Sequence, residues 1–183
     1  MSDIISELPS HLRPVRRIVT GEDSEGRSII VSDGPTPNVM HVRGLPNGGQ
    51  VVWATGEAAA PGDDPAPAGH GFGFHSEGGS ILRVADFAPD ELMDSARLKE
   101  FLNKSEVAGE EPKRHFWFHK TPTLDYAIVL EGEIYAMMDV GETLMRPGDV
   151  LIQRATSHAW ANRSDKFCRM LFVLLALPDE AAR

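Results

Sequence analysis

The hydrophobic pattern of this chain consists of short apolar runs separated by turn residues. The chain has 13 prolines and 17 glycines, and such frequent turn residues between short segments are typical of an all-β domain. The predicted strands of the N-terminal half are 15–20 and 28–32, which form a hairpin, followed after a proline break at 33–38 by 50–55 and 80–87. The predicted strands of the C-terminal half are 126–131, 133–139, 142–145, 150–153, 159–162 and 168–177.

Two segments depart from this strand pattern. Residues 90–104, DELMDSARLKEFLNK, place apolar residues on one helical stripe and predict a short packing helix. Residues 56–79 are rich in Ala, Gly and Pro and have little aliphatic bulk, so they predict a mobile surface loop. His70 and His75 lie in this loop, and the sequence leaves their role open.

A row of polar residues directly precedes one of the most apolar strands. In the stretch HKTPTLDYAIVLEG, His119, Thr121, Thr123 and Asp125 occupy every second position. Because side chains alternate between the faces of a strand, these four residues share one face if the segment is extended. The opposite face begins at Tyr126 and is apolar.

A second polar and aromatic face follows later in the chain. His158, Trp160 and Asn162 also occupy alternate positions, and a closed sheet that brought both faces together would enclose two imidazoles, a carboxylate and an indole. Two histidines and one carboxylate, here His119, Asp125 and His158, are the donor set of a three-ligand metal site with open positions. Without a metal, a histidine beside a carboxylate is a general acid–base pair.

Several further residues are candidates for lining the same pocket and binding a substrate. They are Thr121, Thr123, Tyr135, Trp160 and Trp117. Each also has a purely structural interpretation, because the threonines can satisfy strand ends and the aromatic rings can pack in a core. His119 and Asp125 can likewise hydrogen-bond each other without any catalysis.

Composition and charge exclude several classes of partner. The chain has 18 basic and 27 acidic residues, a net charge of −9, which disfavours binding to nucleic acid or to an anionic membrane. No apolar run has the length of a membrane span, and the chain opens without the pattern of a signal peptide. The single cysteine, Cys168, rules out an internal disulfide framework. These features predict a cytoplasmic protein.

The region from 114 to 177 resembles the cupin superfamily, and its first motif carries part of the resemblance. That motif places His-x-His, a glutamate and a glycine at fixed spacings. Counting back from Gly132, Asp125 stands where the family has its glutamate, and His119 stands at the first histidine. Thr121 replaces the second histidine, and Lys113 replaces the leading glycine.

The second cupin motif is also partly preserved. His158 and Asn162 keep the final spacing of a histidine followed after three residues by asparagine. Gln153 and Ala155 replace the proline and glycine that precede them. The sequence pattern HxTxTxDY resembles that of one branch of the superfamily, in which the metal-binding motifs are degenerate.

This resemblance implies an all-β cupin barrel, a double-stranded β-helix or jelly roll, with an N-terminal β extension and one short helix. We expect residues 1–183 to form a single cupin domain. Within it, 1–89 would be the extension, 90–104 the helix and 114–177 the core motifs. The apolar run near the C-terminus predicts a strand covered on both sides, and cupins commonly pair through such strands, so we expect a homodimer.

The resemblance also implies a small-molecule enzyme that acts on an organic acid or carbonyl compound inside the barrel. Lyase, isomerase or decarboxylase chemistry is expected, and ferrous iron would allow oxygenation. A divalent transition metal ion (Zn, Fe, Mn or Ni) would rest on His119, Asp125 and His158, which are also the candidate catalytic residues. Two alternatives stay open: a metal-free acid–base enzyme, and a binding protein that leaves its small ligand unchanged.

Overall fold

A computed structural model describes residues 4–5, 7–56, 79–104 and 114–178. Most of the predicted loop at 56–79, including His70 and His75, lies outside these residues. None of the helices within the described ranges is long and apolar enough to cross a membrane.

The described residues form strands and one α-helix, as the turn spacing of the sequence predicted. The strands are β1 (Ile4–Ile5), β2 (Arg16–Glu22), β3 (Ser28–Pro35), β4 (Asn38–Val42), β5 (Gly48–Thr55), β6 (Ser80–Phe87), β7 (Thr123–Glu131), β8 (Ile134–Met138), β9 (Glu142–Met145), β10 (Val150–Arg154), β11 (His158–Ala161) and β12 (Cys168–Ala176). The helix is α1 (Ser95–Lys104). A large sheet has the order β1-β4-β5-β6-β12-β7-β10, a small sheet has the order β11-β8-β9, and β2 and β3 form a separate hairpin.

The core lies on the inner face of the large sheet. Strand β7 contributes the buried residues Ala127 and Val129, β12 contributes Met170 and Phe172, and the small sheet contributes Ile134. Burying a side chain of the size of Val129, Met170, Phe172 or Ile134 stabilises the fold by about 1.5–3 kcal/mol. The small sheet is joined to the segment before β7 by a bridge between His119 and His158.

The predicted helix at 90–104 is wrong at its N-terminal end. Its first residues form a separate 3-10 turn, Asp90–Leu92, and Met93 is extended. The α-helix then begins after Asp94, whose carboxylate accepts a hydrogen bond from the backbone N–H of Arg97 at 3.0 Å. The acidic residues therefore mark an N-cap and a turn before it, as aspartate does when it satisfies an otherwise unpaired N–H.

The proline break predicted at 33–38 is also wrong, because the chain resumes as strand β4 almost at once. Between the strands, Thr36 donates its backbone N–H to the Val15 carbonyl and its hydroxyl to the Val51 carbonyl, both at 2.8 Å. The prolines stand beside strand ends, where a missing N–H is tolerated. The other predicted strands are found with ends that differ by a few residues.

Candidate functional site

A pocket opens between the two sheets and contains about 820 Å³ of empty space, part of it open to solvent. The aromatic residues of its wall are Phe87, Phe101, Trp117, Trp160 and Phe172. The polar and charged residues that reach it include Arg83, His119, Thr121, Asp125 and His158. The two polar faces predicted from the sequence therefore contribute to one pocket.

The central feature of this pocket is a pair of buried imidazoles. The ring centroids of His119 and His158 lie 4.3 Å apart, and their backbones exchange two hydrogen bonds of 2.9 and 3.0 Å that fix this separation. Nδ1 of His119 lies 2.7 Å from the Trp117 carbonyl oxygen, and Nδ1 of His158 lies 3.0 Å from the Thr156 carbonyl oxygen. Because a carbonyl oxygen only accepts, both Nδ1 atoms donate, and both Nε2 atoms are unprotonated in the neutral rings.

Burial keeps both imidazoles neutral. Burial, the neighbouring His158 and the charge of Arg83 together lower the pKa of His119 to about 3, against the opposing hydrogen bond to the Trp117 carbonyl. Burial alone lowers the pKa of His158 to about 4, against the opposing hydrogen bond to Thr156. At neutral pH both rings therefore offer a lone pair on Nε2, which suits a proton acceptor or a metal ligand.

Asp125 lies on β7 and faces the same pocket. Burial raises the pKa of its carboxyl group, while a hydrogen bond from Thr123 and the charge of Arg83 act in the opposite direction. Its Oδ1 atom is buried and has no hydrogen-bond partner among the residues that the structure describes. A buried acceptor without a partner costs about 1–3 kcal/mol, so a proton or a ligand donor at this atom would be favoured.

The geometry of these residues differs from that of the predicted three-ligand metal centre. Within the described parts of the chain, no three His, Cys, Asp or Glu side chains converge so as to hold one ion. The two imidazoles meet, but Asp125 does not complete a set with them. Thr121 makes a hydrogen bond of 2.8 Å with Thr123. The described residues thus do not fit a three-ligand centre in this arrangement, and the metal stays a prediction.

Arg83 is a pocket residue that the sequence interpretation missed. It lies on β6, is buried, and holds its guanidinium over the ring of Phe172 at 5.9 Å from the centroid. Its charge acts on both Asp125 and His119. The sequence contains a signal for it, because Arg83 shares a strand face with Ile81, Ala85 and Phe87 and is the charged residue of that face.

The predicted substrate-binding residues divide into two groups. Trp117, Trp160 and Thr121 line the pocket, and Trp160 packs edge-on against His158 at 5.7 Å. Thr123 is buried behind Thr121 and does not line the pocket. Tyr135 is placed elsewhere: it pairs with Ala161, on the face opposite to Trp160, and its ring lies 4.4 Å from the Arg163 guanidinium.

Acid is expected to destabilise this fold below pH 6.5. The ordinary pKa of an imidazole is 6.5. In the folded protein the pKa is about 3 for His119 and about 4 for His158. Between these lowered pKa values and pH 6.5, the unfolded chain binds more protons than the folded protein does. The stability that the two imidazoles contribute is therefore fully present above pH 6.5 and is lost as the pH falls. From pH 6.5 to 5 the loss is about 2 kcal/mol per histidine. The raised pKa of Asp125 opposes part of this loss.

Denaturant unfolding at pH 7 and pH 5 measures this effect. The variant His158→Gln should lose a large part of the difference between the two pH values, because glutamine does not titrate. The matched control His11→Gln changes an exposed histidine whose Nε2 contacts the Pro46 carbonyl, and it should keep the full difference. Equal pH dependence in all three proteins would show that the pair does not remain neutral on folding.

Comparison with known proteins identifies relatives of this chain. Residues 107–174 match the Cupin domain family. The cupin-domain-containing oxidoreductase fogC of Aspergillus ruber is 33% identical over 186 residues, covering 92% of this chain and 75% of fogC. The phomopsin biosynthesis cluster protein D of Diaporthe leptostromiformis is 36% identical over 105 residues, covering 56% of this chain and 43% of that protein.

The fold comparison also finds a cupin superfamily protein of Desulfitobacterium hafniense. That structure has a TM-score of 0.36 and 19% identity, over 54% of this chain and 68% of the other. The match to fogC is the broader finding, because it extends along most of this chain. Together with the family match across strands β7 to β12, it confirms the resemblance of the two histidine motifs: this chain belongs to the cupin superfamily.

Proposed function

We propose that this cupin is an enzyme that moves a proton on a carbonyl compound or organic acid bound between its two sheets. The observation that carries the proposal is the pair of neutral imidazoles, His119 and His158, in a largely apolar pocket. An imidazole must be neutral to accept a proton, and a second hydrogen bond holds it in one tautomer. Both Nδ1 atoms are held in that way.

The names of the relatives support an enzyme of small-molecule biosynthesis. The relative fogC is named an oxidoreductase, and the Diaporthe protein is named for a biosynthesis cluster. Among the reactions expected from the sequence, we favour a lyase or isomerase, because the described pocket residues supply proton acceptors and an acid.

The proposed step uses three groups in separate roles. Nε2 of His158 or His119 accepts a proton from the carbon next to the carbonyl, and the C–H electron pair moves towards the carbonyl oxygen to give an enolate. Arg83 stabilises the negative charge on that oxygen, as preorganised donors do in acyl and enolate chemistry. In an isomerase the proton returns to a different carbon. In a lyase a β-hydroxyl group leaves as water with a proton from the neutral form of Asp125.

The pocket wall defines the general shape of the substrate. Aromatic and aliphatic side chains surround the polar groups, so the substrate should have an apolar body and oxygen atoms at one end. The polar end would lie beside Arg83 and Asp125, where buried donor and acceptor groups fix orientation. The apolar body would lie against Trp117, Trp160 and Phe172.

Proton exchange in deuterated water tests this function directly. The protein, purified without a nickel column, is incubated with a panel of aryl and alkyl ketones and β-hydroxy ketones, and NMR follows loss of the α-proton signal and formation of an enone. The expected result is enzyme-dependent exchange that persists in metal-free protein. Metal content is measured by elemental analysis on the same sample.

Two other outcomes would each overturn the proposal. A near-stoichiometric metal that is lost in His119→Ala, with activity lost alongside it, would identify the metal enzyme that the sequence resemblance implies. Tight binding of a ketone without exchange or turnover would identify a small-ligand binding protein.

A further inference from the structure

The pocket extends well beyond the imidazole pair, towards the N-terminal half of the chain. Its lining includes Asp125 on β7 and Met40 on β4. In the order of the large sheet, these two strands are separated by β5, β6 and β12. Neighbouring strands lie about 4.8 Å apart, so the four intervals between β4 and β7 correspond to roughly 19 Å. A small ligand held at Asp125 would therefore not reach Met40.

Two small residues form the floor of this far end of the pocket. Gly49 on β5 pairs with Ala85 on β6 and with Met40 on β4. A Cβ atom on Gly49 would lie 3.6 Å from Cε of Met40 and 3.8 Å from Cδ of Arg83, so this position faces the pocket beside the arginine. Ala85 is only partly buried although Val84, its neighbour on the same strand, is fully buried, because the methyl group of Ala85 faces the pocket.

Apolar side chains form the walls of this end. Val42 on β4, Leu45 in the turn after it and Phe101 on α1 line the pocket. Helix α1 lies against that turn, since a Cβ atom on Gly44 would meet the Arg97 side chain at 3.1 Å. The helix and the turn therefore belong to the same end of the pocket. We call this end the tail compartment, and its residues are Met40, Val42, Leu45, Gly49, Ala85 and Phe101.

The polar residues Asn47 and Asp86, which also line the pocket, are bonded within the protein. Oδ1 of Asn47 accepts a hydrogen bond from the backbone N–H of Ala88 at 2.8 Å. The carboxylate of Asp86 accepts two hydrogen bonds from Arg169, at 2.7 and 2.9 Å. Because these groups already have partners, the tail compartment offers a ligand mainly apolar surface, and contact with hydrocarbon is favoured there.

The tail compartment lies outside the region that matches the cupin family. That match covers residues 107–174 and includes His119 and His158, whereas the six residues of the compartment precede it in the chain. The family region therefore supplies the imidazole pair, and the N-terminal half of this chain shapes the space beside it. Differences in such a space decide which of several substrates with the same reacting group is preferred.

We propose that the tail compartment binds an unbranched alkyl chain of the substrate and sets the longest chain that this protein accepts. The inference rests on the proposed function, in which Arg83 and Asp125 hold the oxygen atoms of a carbonyl substrate. Gly49 and Ala85 have no side chain beyond a methyl group, so a methylene chain can lie across them from Arg83 towards Met40. Each methylene group buried in this way increases the affinity about fourfold.

Binding of straight-chain 2-alkanones with about 4 to 12 carbon atoms tests the tail compartment. Trp117 and Trp160 line the pocket, so tryptophan fluorescence reports binding without requiring turnover. For the wild-type protein, the affinity should rise about fourfold with each added methylene group until the compartment is filled. Beyond that chain length, the affinity should level off.

Substitutions in the compartment should move this limit in opposite directions. Ala85→Leu fills the floor and should lower the affinity for the longer ketones at least about 10-fold relative to the shorter ones. Met40→Ala opens the far end and should move the limit to longer chains. If Ala85→Leu does not fold, Gly49→Ala adds one methyl group at ordinary contact distances and should shorten the limit by about one methylene group. The control Ala96→Leu changes an exposed residue of α1 and should behave as the wild type.

Proton exchange measured on the same samples separates this inference from the proposed function. Affinities that follow chain length without any exchange would support the tail compartment and contradict the proton transfer. Exchange with affinities that are independent of chain length would contradict the compartment alone. The compartment would also be overturned if no alkanone bound, or if the limit were the same in the wild type and in the folded variants at Met40 and Gly49.

Discussion

Replacing His158 with glutamine is expected to reduce turnover of a carbonyl substrate by about 10²- to 10⁴-fold, the usual contribution of a positioned general base. Glutamine has a similar reach and stays neutral, but its amide nitrogen cannot accept a proton. The same change at His119 should have a comparable effect if both rings take part in one proton transfer. The double variant should then lose little more turnover than either single variant, because the effects of replacing groups that act as a unit are not additive.

The kinetic parameters separate this role from a structural one. A lost base lowers kcat and leaves the dissociation constant for the substrate nearly unchanged, whereas a distorted pocket weakens binding as well. The control His11→Gln replaces an exposed histidine outside the pocket and should keep wild-type turnover. A His158→Gln protein with unchanged kcat would remove the imidazole pair from the mechanism.

The alternation of polar residues before β7 was visible in the sequence, and its predicted direction, towards a pocket, agrees with the structure. His119, Thr121, Thr123 and Asp125 are all buried, while the apolar face that begins at Tyr126 points outward. Binary patterning alone would place the apolar face inside. The direction is set by strands β10 and β12, which pair with β7 from distant parts of the chain. A pocket that contains polar side chains lies inside, and an apolar face lies outside, which is the reverse of the usual pattern.

Arg83 and Tyr135 show what a local sequence pattern cannot predict about the position of a side chain. The alternation in SILRVADF shows that Arg83 shares a face with apolar residues, but only the pairing of β6 with β12 brings it near Asp125. Tyr135 was a reasonable pocket candidate by residue type. The register of β8 with β11 places it opposite Ala161, and therefore on the other face from Trp160. The local sequence pattern shows which residues share a strand face. The register between strands that are distant in the chain decides which of these faces come together.

The second large effect concerns stability, and we expect Arg169→Met to lower the free energy of unfolding by about 3–5 kcal/mol. Arg169 on β12 and Asp86 on β6 are buried, lie opposite each other in the sheet and form two hydrogen bonds of 2.7 and 2.9 Å. Without the guanidinium, the Asp86 carboxylate is left buried and unpaired. Arg169 also donates to the Arg13 carbonyl at the base of the hairpin.

Denaturant unfolding measures this loss. The double variant Asp86→Leu with Arg169→Met should recover much of the loss, because an apolar pair of similar volume removes the buried charge altogether. The control Arg16→Met breaks the Arg16–Asp33 pair, which is solvent-exposed, and should change stability little. If Arg169→Met costs no more than this control, water reaches Asp86 and the pair does not stabilise the sheet.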